Sequence, residues 1–425
     1  MRILFVSGIV PFPPTNGLAM RSSAFVEALA DEGHEVHLAA FGTTPEATHP
    51  DVLRFCRTAH LVPLRLTIAS AAADYWGRLR RLPSAIPYGT LRFASAEMRR
   101  LIEQVIEQEH IEAVVCDTLD CMVNLPQPCK VPVLLNNHNV EHLILERFLQ
   151  YERNAFRWAY AWLEARKLRR WEREGCRRAG VTVVCSHHDR HALESLGPGT
   201  MVYVVPNVID TDSYQPAPGA GRALLTYTGG MDWYPNRDAV QFFLSSIFPA
   251  VHRVAPEAQF VVAGRNVAPE FQARFAHIPG VTFTGTVPDI RPVIADSDVC
   301  VVPLRIGSGT RLKILEAAAM AKPIVSTRLG AEGLEFEEET EIMLADTPEE
   351  FSAAVIRLLH DPELRSRLGA SARKRVERSY SRLVLREILR VAVLALERGG
   401  VSGNSPDAAT MCHAGGARGA GCQIN

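Results

Sequence analysis

Apolar residues along this chain gather mostly into short continuous runs, without the alternation expected of a half-exposed sheet. Ile3-Leu4-Phe5-Val6, Val299-Cys300-Val301-Val302 and the runs at 112–116, 131–135, 181–185, 223–228, 259–263 and 324–326 are bounded by turn or polar residues, while 34–38 and 281–285, also read as strands, interleave polar with apolar residues. Such runs predict strands buried on both faces of a parallel sheet. Between them, 20–32, 94–109, 348–360, 362–379 and 383–397 carry the spacing of helices. Strand and helix alternate through two halves of similar size, which predicts an α/β protein with two doubly wound domains. Pro216-Ala217-Pro218-Gly219-Ala220-Gly221 is a linker, and Pro206-Asn207-Val208-Ile209-Asp210 just before it marks the junction.

The stretch 303–334 carries the clearest chemistry. After the apolar run at 299–302, Gly307-Ser308-Gly309 opens a run of helix formers from Thr310 to Met320, and Ile324-Val325-Ser326 follows. Strand, glycine loop and helix together aim free backbone N–H groups and a positive helix end at a phosphate. Arg311 and Lys313 add two cations to the first turn, where they oppose the helix dipole unless an anion is bound. Glu316 lies three residues beyond Lys313 on the same helix face, as a sugar-hydroxyl acceptor or as a surface partner of Lys313.

Composition narrows the class. The chain has 425 residues, 47% of them hydrophobic, enough for two sizeable cores. With 46 Lys+Arg against 47 Asp+Glu there is no global field to attract nucleic acid. Nine scattered cysteines, an odd number, read as free thiols in a reducing compartment. Cys116, Cys121 and Cys129 lack zinc spacing, and His138 and His142, four apart, have no evident third ligand, so no metal site is expected. No run reaches the length of a membrane span and the N-terminus reads as a strand, not a signal peptide, so the expected location is cytoplasmic. The first βαβ unit has no G-x-G-x-x-G and no acidic residue closing its second strand, which excludes a dinucleotide fingerprint.

Two further stretches draw notice. Asn136-Asn137-His138-Asn139 follows a strand, where open α/β sheets bind ligands. Residues 141–178 read as one long helix or two broken ones. They carry Trp158, Trp162 and Trp171 among many arginines, with Glu152, Glu164, Glu172 and Glu174 interleaved. That helix either lies on anionic lipid or packs with its arginines reaching out to water. Tyr75, Trp76, Arg78, Arg80 and Arg81 pose the same choice between a surface-binding and a solvated helix. His187, His188 and His191 open a later helix as capping or surface residues.

GSGTRLKILEAAAMAKPIVST, followed by GAEGL, resembles the donor-nucleotide motif of the retaining glycosyltransferases of family 4, which have the two-domain glycosyltransferase B fold. The resemblance spans about 1–398. It implies two Rossmann-like domains with a cleft between them: 1–206 on the acceptor side, with 383–398 crossing back to it, and 207–382 binding the nucleotide sugar. Residues 399–425 are left as a disordered tail. Of the family's two glutamates separated by seven residues, the second matches Glu316, which by resemblance holds the donor ribose. The first falls on Ser308. Of the family's paired glycines near the donor phosphate, only Gly17 is present, and it serves either that contact or a tight turn. The Arg and Lys that relatives place around the turn at 228–236 are replaced by Gly230 and Asn236. Arg311 and Lys313 would then carry that charge, helped by Arg265. His138 resembles the family residue close to the donor sugar.

The resemblance implies a retaining transfer of a sugar from a nucleoside diphosphate donor to a hydroxyl of a glycan or lipid-linked acceptor. The donor is a substrate, and no cofactor or metal is implied. Arg311, Lys313 and the N–H groups of Gly307, Ser308, Gly309 and Thr310 would stabilise charge on the departing phosphate. Peripheral contact with the inner face of the cytoplasmic membrane would suit a lipid-linked acceptor. Two rivals share the fold: an epimerase of nucleotide sugars, and a non-catalytic module that binds them.

Overall fold

Uninterrupted apolar strands need cover on both faces, and the chain provides it with helices on either side of two parallel sheets. In the computed structural model, residues 1–64, 71–197 and 201–398 are described. The chain forms two units: Met1–His138, Lys167–Val205 and Arg386 onward make the first, Asn139–Arg166 and Pro206–Leu385 the second.

The first unit holds β1 (Arg2–Ser7), β2 (Glu35–Phe41), β3 (Thr58–Val62), β4 (Ala113–Asp117), β5 (Val133–Asn136), β6 (Val181–Val184) and β7 (Val202–Val204). All pair in parallel in the order β3-β2-β1-β4-β5-β6-β7. Helices α1 (Gly17–Asp31), α2 (Ala71–Arg80) and α3 (Ala96–Gln108) belong to it. Helix α1 starts three residues earlier than expected because Asn16 caps it, its side chain accepting from the Ala19 N–H at 3.0 Å. Strand β3 mixes polar with apolar residues, and β7 lies within the apolar run 201–205, which is not among the expected strands.

Residues 141–178 form two helices, α4 (Glu141–Leu149) and α5 (Ala155–Arg178). Where the sequence division gives 139–166 to the first domain, the fold groups it with the second unit. Val140 N–H donates to Ser308 Oγ at 2.9 Å, and Arg147 makes a two-pronged ion pair with Glu332 at 2.8 and 2.7 Å. A planar guanidinium matched to a carboxylate is among the stronger polar contacts a protein makes.

In the second unit β8 (Leu224–Thr228), β9 (Gln259–Ala263), β10 (Val281–Gly285), β11 (Val299–Val302), β12 (Ile324–Ser326) and β13 (Met343–Leu344) are again all parallel, in the order β10-β9-β8-β11-β12-β13. Helices α6 (Tyr234–Phe242), α7 (Leu312–Ala319) and α8 (Pro362–Ser379) flank this sheet. Phe243, Phe248, Phe260 and Phe351 fill one face, with Phe243 4.5 Å from Phe260, ring centre to ring centre. The last helix, α9 (Arg382–Glu397), ends in the first unit, where Arg386 pairs with Glu32 at 3.3 Å. The expected tail at 399–425 and the segment 65–70 lie outside the described residues, as does the side chain of Tyr75.

Each sheet therefore grows outward from a central pair, β1 and β4 in one and β8 and β11 in the other. At the second of these, β8 and β9 end close together. A Cβ on Gly264 would stand 1.9 Å from the Gly229 carbonyl oxygen. Replacing Gly264 by Ala should cost about 3 kcal/mol, since a backbone atom cannot step aside. Gly285→Ala, at φ +68° with open space around it, should cost about 1 kcal/mol. Urea unfolding of both variants checks the difference, and equal midpoints would refute this reading of the 229–264 approach.

Candidate active site

Open parallel sheets form a crevice where strand order reverses, beyond the carboxyl ends of the central strands. In the second unit those ends carry the turn after β8 and the glycine loop after β11. Gly307 sits at φ +147° and Gly309 at φ +73°, conformations that a side chain disfavours. Two arginines grip the carbonyls of this loop. Arg311 Nη1 donates to the carbonyls of Ser308 and Gly309, and Arg147 Nη1 donates to that of Gly307. A trans peptide points its N–H opposite to its C=O, so the N–H groups of Ser308, Gly309 and Thr310 are turned away from both guanidinium groups. Those three N–H groups meet no acceptor among the described residues, although all three residues are buried. Buried amides without partners are rare, and clustered ahead of a helix they make an anion cradle.

Arg311 thus differs from its expected place. The helix begins at Leu312, with Arg311 as its cap residue, and its buried guanidinium turns back onto the loop. Lys313 is the cation presented beside it. Its Nζ lies 3.0 Å from Asn236 Oδ1 and 3.9 Å from the centre of the Tyr227 ring. Asn236 is fixed in turn, accepting from the Tyr227 hydroxyl at 2.7 Å and donating to the Gly230 carbonyl at 2.8 Å. Desolvation first, and then the charge of Arg311, push the Lys313 ammonium down to about 7. Glu316 follows one turn on and accepts from the Tyr214 hydroxyl at 3.1 Å, and burial raises its pKa. Asn207 steadies the loop from the other end, its amide donating to Thr310 Oγ1 at 2.8 Å. Arg265 stands by the turn after β8 but pairs with Asp232 at 3.3 Å and is well exposed.

The first unit has its own cluster at the matching place, where β1 and β4 end. Asp117 is fully buried and accepts four hydrogen bonds: from Ser7 Oγ (3.0 Å), Ser22 Oγ (2.6 Å), Asn136 Nδ2 (2.8 Å) and His138 Nε2 (2.7 Å). Burial alone would raise its pKa, but the charge of His138 and the hydrogen bonds from His138, Ser22 and Ser7 outweigh it and hold the carboxyl below its ordinary value. The 2.7 Å bond between Nε2 and Asp117 fixes the orientation of the imidazole. Arg21 braces the cluster, donating to Asn136 Oδ1 at 3.0 Å and to the Val205 carbonyl at 2.9 Å. Gly17 is the first residue of α1. His142 is buried, and no group of three His, Cys, Asp or Glu side chains that could hold a metal ion occurs among the described residues.

Asp117, Arg147, Asn207, Tyr214 and Tyr227 escape a reading of the sequence. Asn207 entered that reading only as part of the junction segment 206–210, and Asp117 directly follows the apolar run 112–116.

Residues 15–213 match the family model for glycosyltransferase family 4, and 222–361 match that for glycosyl transferases group 1. The chain belongs to the group 1 glycosyltransferases of the family 4 type. Among solved structures, sucrose-phosphate synthase from Thermosynechococcus elongatus superposes with a TM-score of 0.70 at 17% identity, over 95% of this chain and 100% of that one. Anabaena HepE in complex with UDP-glucose gives 0.65 at 12% identity, over 93% and 100%. These likenesses establish the glycosyltransferase B fold. Phosphatidyl-myo-inositol mannosyltransferase of Mycolicibacterium smegmatis is 27% identical over 213 residues, 48% of this chain and 54% of the relative. The chain spans about half the length of the curated relatives it matches. Within the family 4 pattern, Ser308 stands where the first glutamate is usual, and here its hydroxyl anchors the Val140 N–H at the start of α4.

The Asp117 cluster predicts a pH dependence. A carboxyl whose folded pKa is lowered contributes stability that is complete above its unfolded value, about 4, and is lost as pH falls through the folded value. Asp117→Asn should cost about 1–3 kcal/mol at neutral pH, with the deficit shrinking below pH ~4. Urea midpoints of both proteins across that range test this, and a deficit independent of pH would refute it.

Proposed function

We propose that this chain is a retaining glycosyltransferase that moves a sugar from a nucleoside diphosphate donor to a hydroxyl of a glycan or lipid-linked acceptor. The observation that carries it is the loop Gly307–Thr310, with three partnerless amides beside the desolvated ammonium of Lys313. That combination suits a diphosphate. The bound group would also lift the cost of desolvating Lys313. Glu316, held by Tyr214, is the proposed acceptor for the ribose hydroxyls. As the glycosidic bond breaks, negative charge grows on the leaving phosphate, and preorganised amides and Lys313 stabilise it without reorganisation. Arg311 supports this from behind by fixing the loop, and its charge stays in the cluster. Arg265 and Gly17 are assigned secondary donor contacts, and His138, aligned by Asp117, a hydrogen bond to a sugar or acceptor hydroxyl.

Charge stabilisation by protein groups makes a divalent ion dispensable in this scheme. In a screen of radiolabelled UDP-, GDP-, ADP- and dTDP-sugars with glycan and lipid-linked acceptors, transfer should survive excess EDTA. Loss of turnover on chelation, restored by Mn²⁺ or Mg²⁺, would overturn metal independence. Donor isomerised without acceptor would indicate an epimerase, and donor bound but unchanged would indicate a binding module.

Lys313 offers a second measurement. Its pKa of about 7 should rise toward the ordinary lysine value when a diphosphate binds, while the phosphates themselves stay ionised above pH ~7. Binding at pH 8 should then take up a fraction of a proton, and affinity should fall as pH rises from about 7 to about 9. Calorimetry in buffers of different protonation enthalpy reads the uptake. Lys313→Arg should abolish it, and uptake unchanged in that variant would assign the proton elsewhere.

A further inference from the structure

Helix α5 separates its charges by face in a way its sequence conceals. Glu164 and Glu172 are 6% and 0% exposed, so two of the acids interleaved with its arginines are turned inward. The outward stripe, at steps of three and four, begins with Trp158 and Trp162 and continues through Arg166, Arg170, Arg173 and Arg177. Glu174 is the one exposed acid of the helix. None of those four arginines has an ion-pair partner among the described residues.

The aromatic end is unusual for a water-facing surface. Phe156 is 88% exposed, Trp158 42% and Trp162 41%. The two indoles stack with ring centres 6.5 Å apart, and the Arg166 guanidinium lies 4.3 Å from the Trp162 ring centre. Three large aromatic side chains left in water cost free energy unless another surface covers them. Lys167 also donates to the Arg81 carbonyl at 3.4 Å, which brings the exposed Arg80–Arg81 end of α2 alongside.

We propose that the outer face of α5 docks on an anionic lipid bilayer. Indole and phenyl rings favour the headgroup boundary, where an apolar body and a polar edge are both accommodated. Arginines bury their stems and leave the guanidinium at phosphate level. The arginines follow the aromatics along a single face, the pattern of a helix lying in the interface plane. The chain's near-zero net charge makes this stripe a local feature and gives no general affinity for polyanions. As a route to a lipid-linked acceptor the proposal rests on the transferase reading above. The binding itself needs neither donor nor acceptor, so the two can fail separately.

The test is co-sedimentation of the full chain with vesicles of phosphatidylcholine alone and of equal parts phosphatidylcholine and phosphatidylglycerol. Wild type should bind the anionic vesicles and be released by salt. Arg166→Glu/Arg170→Glu/Arg173→Glu should lower partitioning by roughly a hundredfold or more, as each basic residue near an anionic surface is worth about fivefold. Trp158→Ser/Trp162→Ser should weaken binding and abolish quenching of tryptophan fluorescence by brominated lipid. Every altered residue is exposed and outside the donor cluster, so nucleoside diphosphate binding should be unchanged and serves as the folding control. Equal vesicle binding by wild type and both variants, or none by wild type, overturns the proposal. So does a self-association or RNA binding that the variants abolish while vesicles are ignored.

Discussion

Two guanidinium groups, Arg147 and Arg311, hold the carbonyls of Gly307, Ser308 and Gly309, and the geometry of the glycine loop follows from that grip. Because a peptide's two polar ends point in opposite directions, fixing the carbonyls fixes the amides. A loop of glycines would otherwise sample many conformations, and its N–H groups would converge only part of the time. Preorganising dipoles in this way is what allows a site to stabilise developing charge without moving at the moment of reaction. The Arg147–Glu332 pair and the Val140–Ser308 bond tie α4 to the same loop. Segment 139–166 is therefore part of the second unit's machinery although it follows the first unit's fifth strand.

Charge in this cluster is arranged economically. The family resemblance implied cations on the turn after β8, whereas that turn carries Gly230 and Asn236. The structure turns the ammonium of Lys313 onto Asn236 from the opposite helix, so a cation still reaches the turn. Burial beside Arg311 makes that ammonium costly to keep charged, which an anion would relieve. In the first unit the same topological position holds the reverse arrangement, a carboxylate buried under four donors with a histidine as one of them. A full set of acceptor bonds is what makes a buried charge tolerable.

The sequence by itself determined the class of fold. Continuous apolar runs cannot be solvated, and strand bounds such as 259–263, 299–302 and 324–326 were legible to the residue because each run is cut sharply by turn or polar residues; 281–285 was legible instead by its alternation and is a half-exposed strand. It also determined which family motif the chain carries, since Gly307, Gly309, Lys313 and Glu316 lie within ten residues. The two-residue strand Met343–Leu344 was not legible, because so short a strand carries no period, whereas Val202–Val204 lies in an apolar run, 201–205, no less readable than that of Ile324–Ser326. Only the tertiary structure decided that Arg311 supports the loop from within. Only it could join Asp117 to His138 across two strands, or Arg147 to a loop 160 residues away. On α5 it decided which charges face water, since acids and arginines adjacent in sequence lie on opposite sides of a helix. Hydrogen bonds of this kind depend on which strand ends and helix faces the sheet order brings together, and no local pattern encodes that.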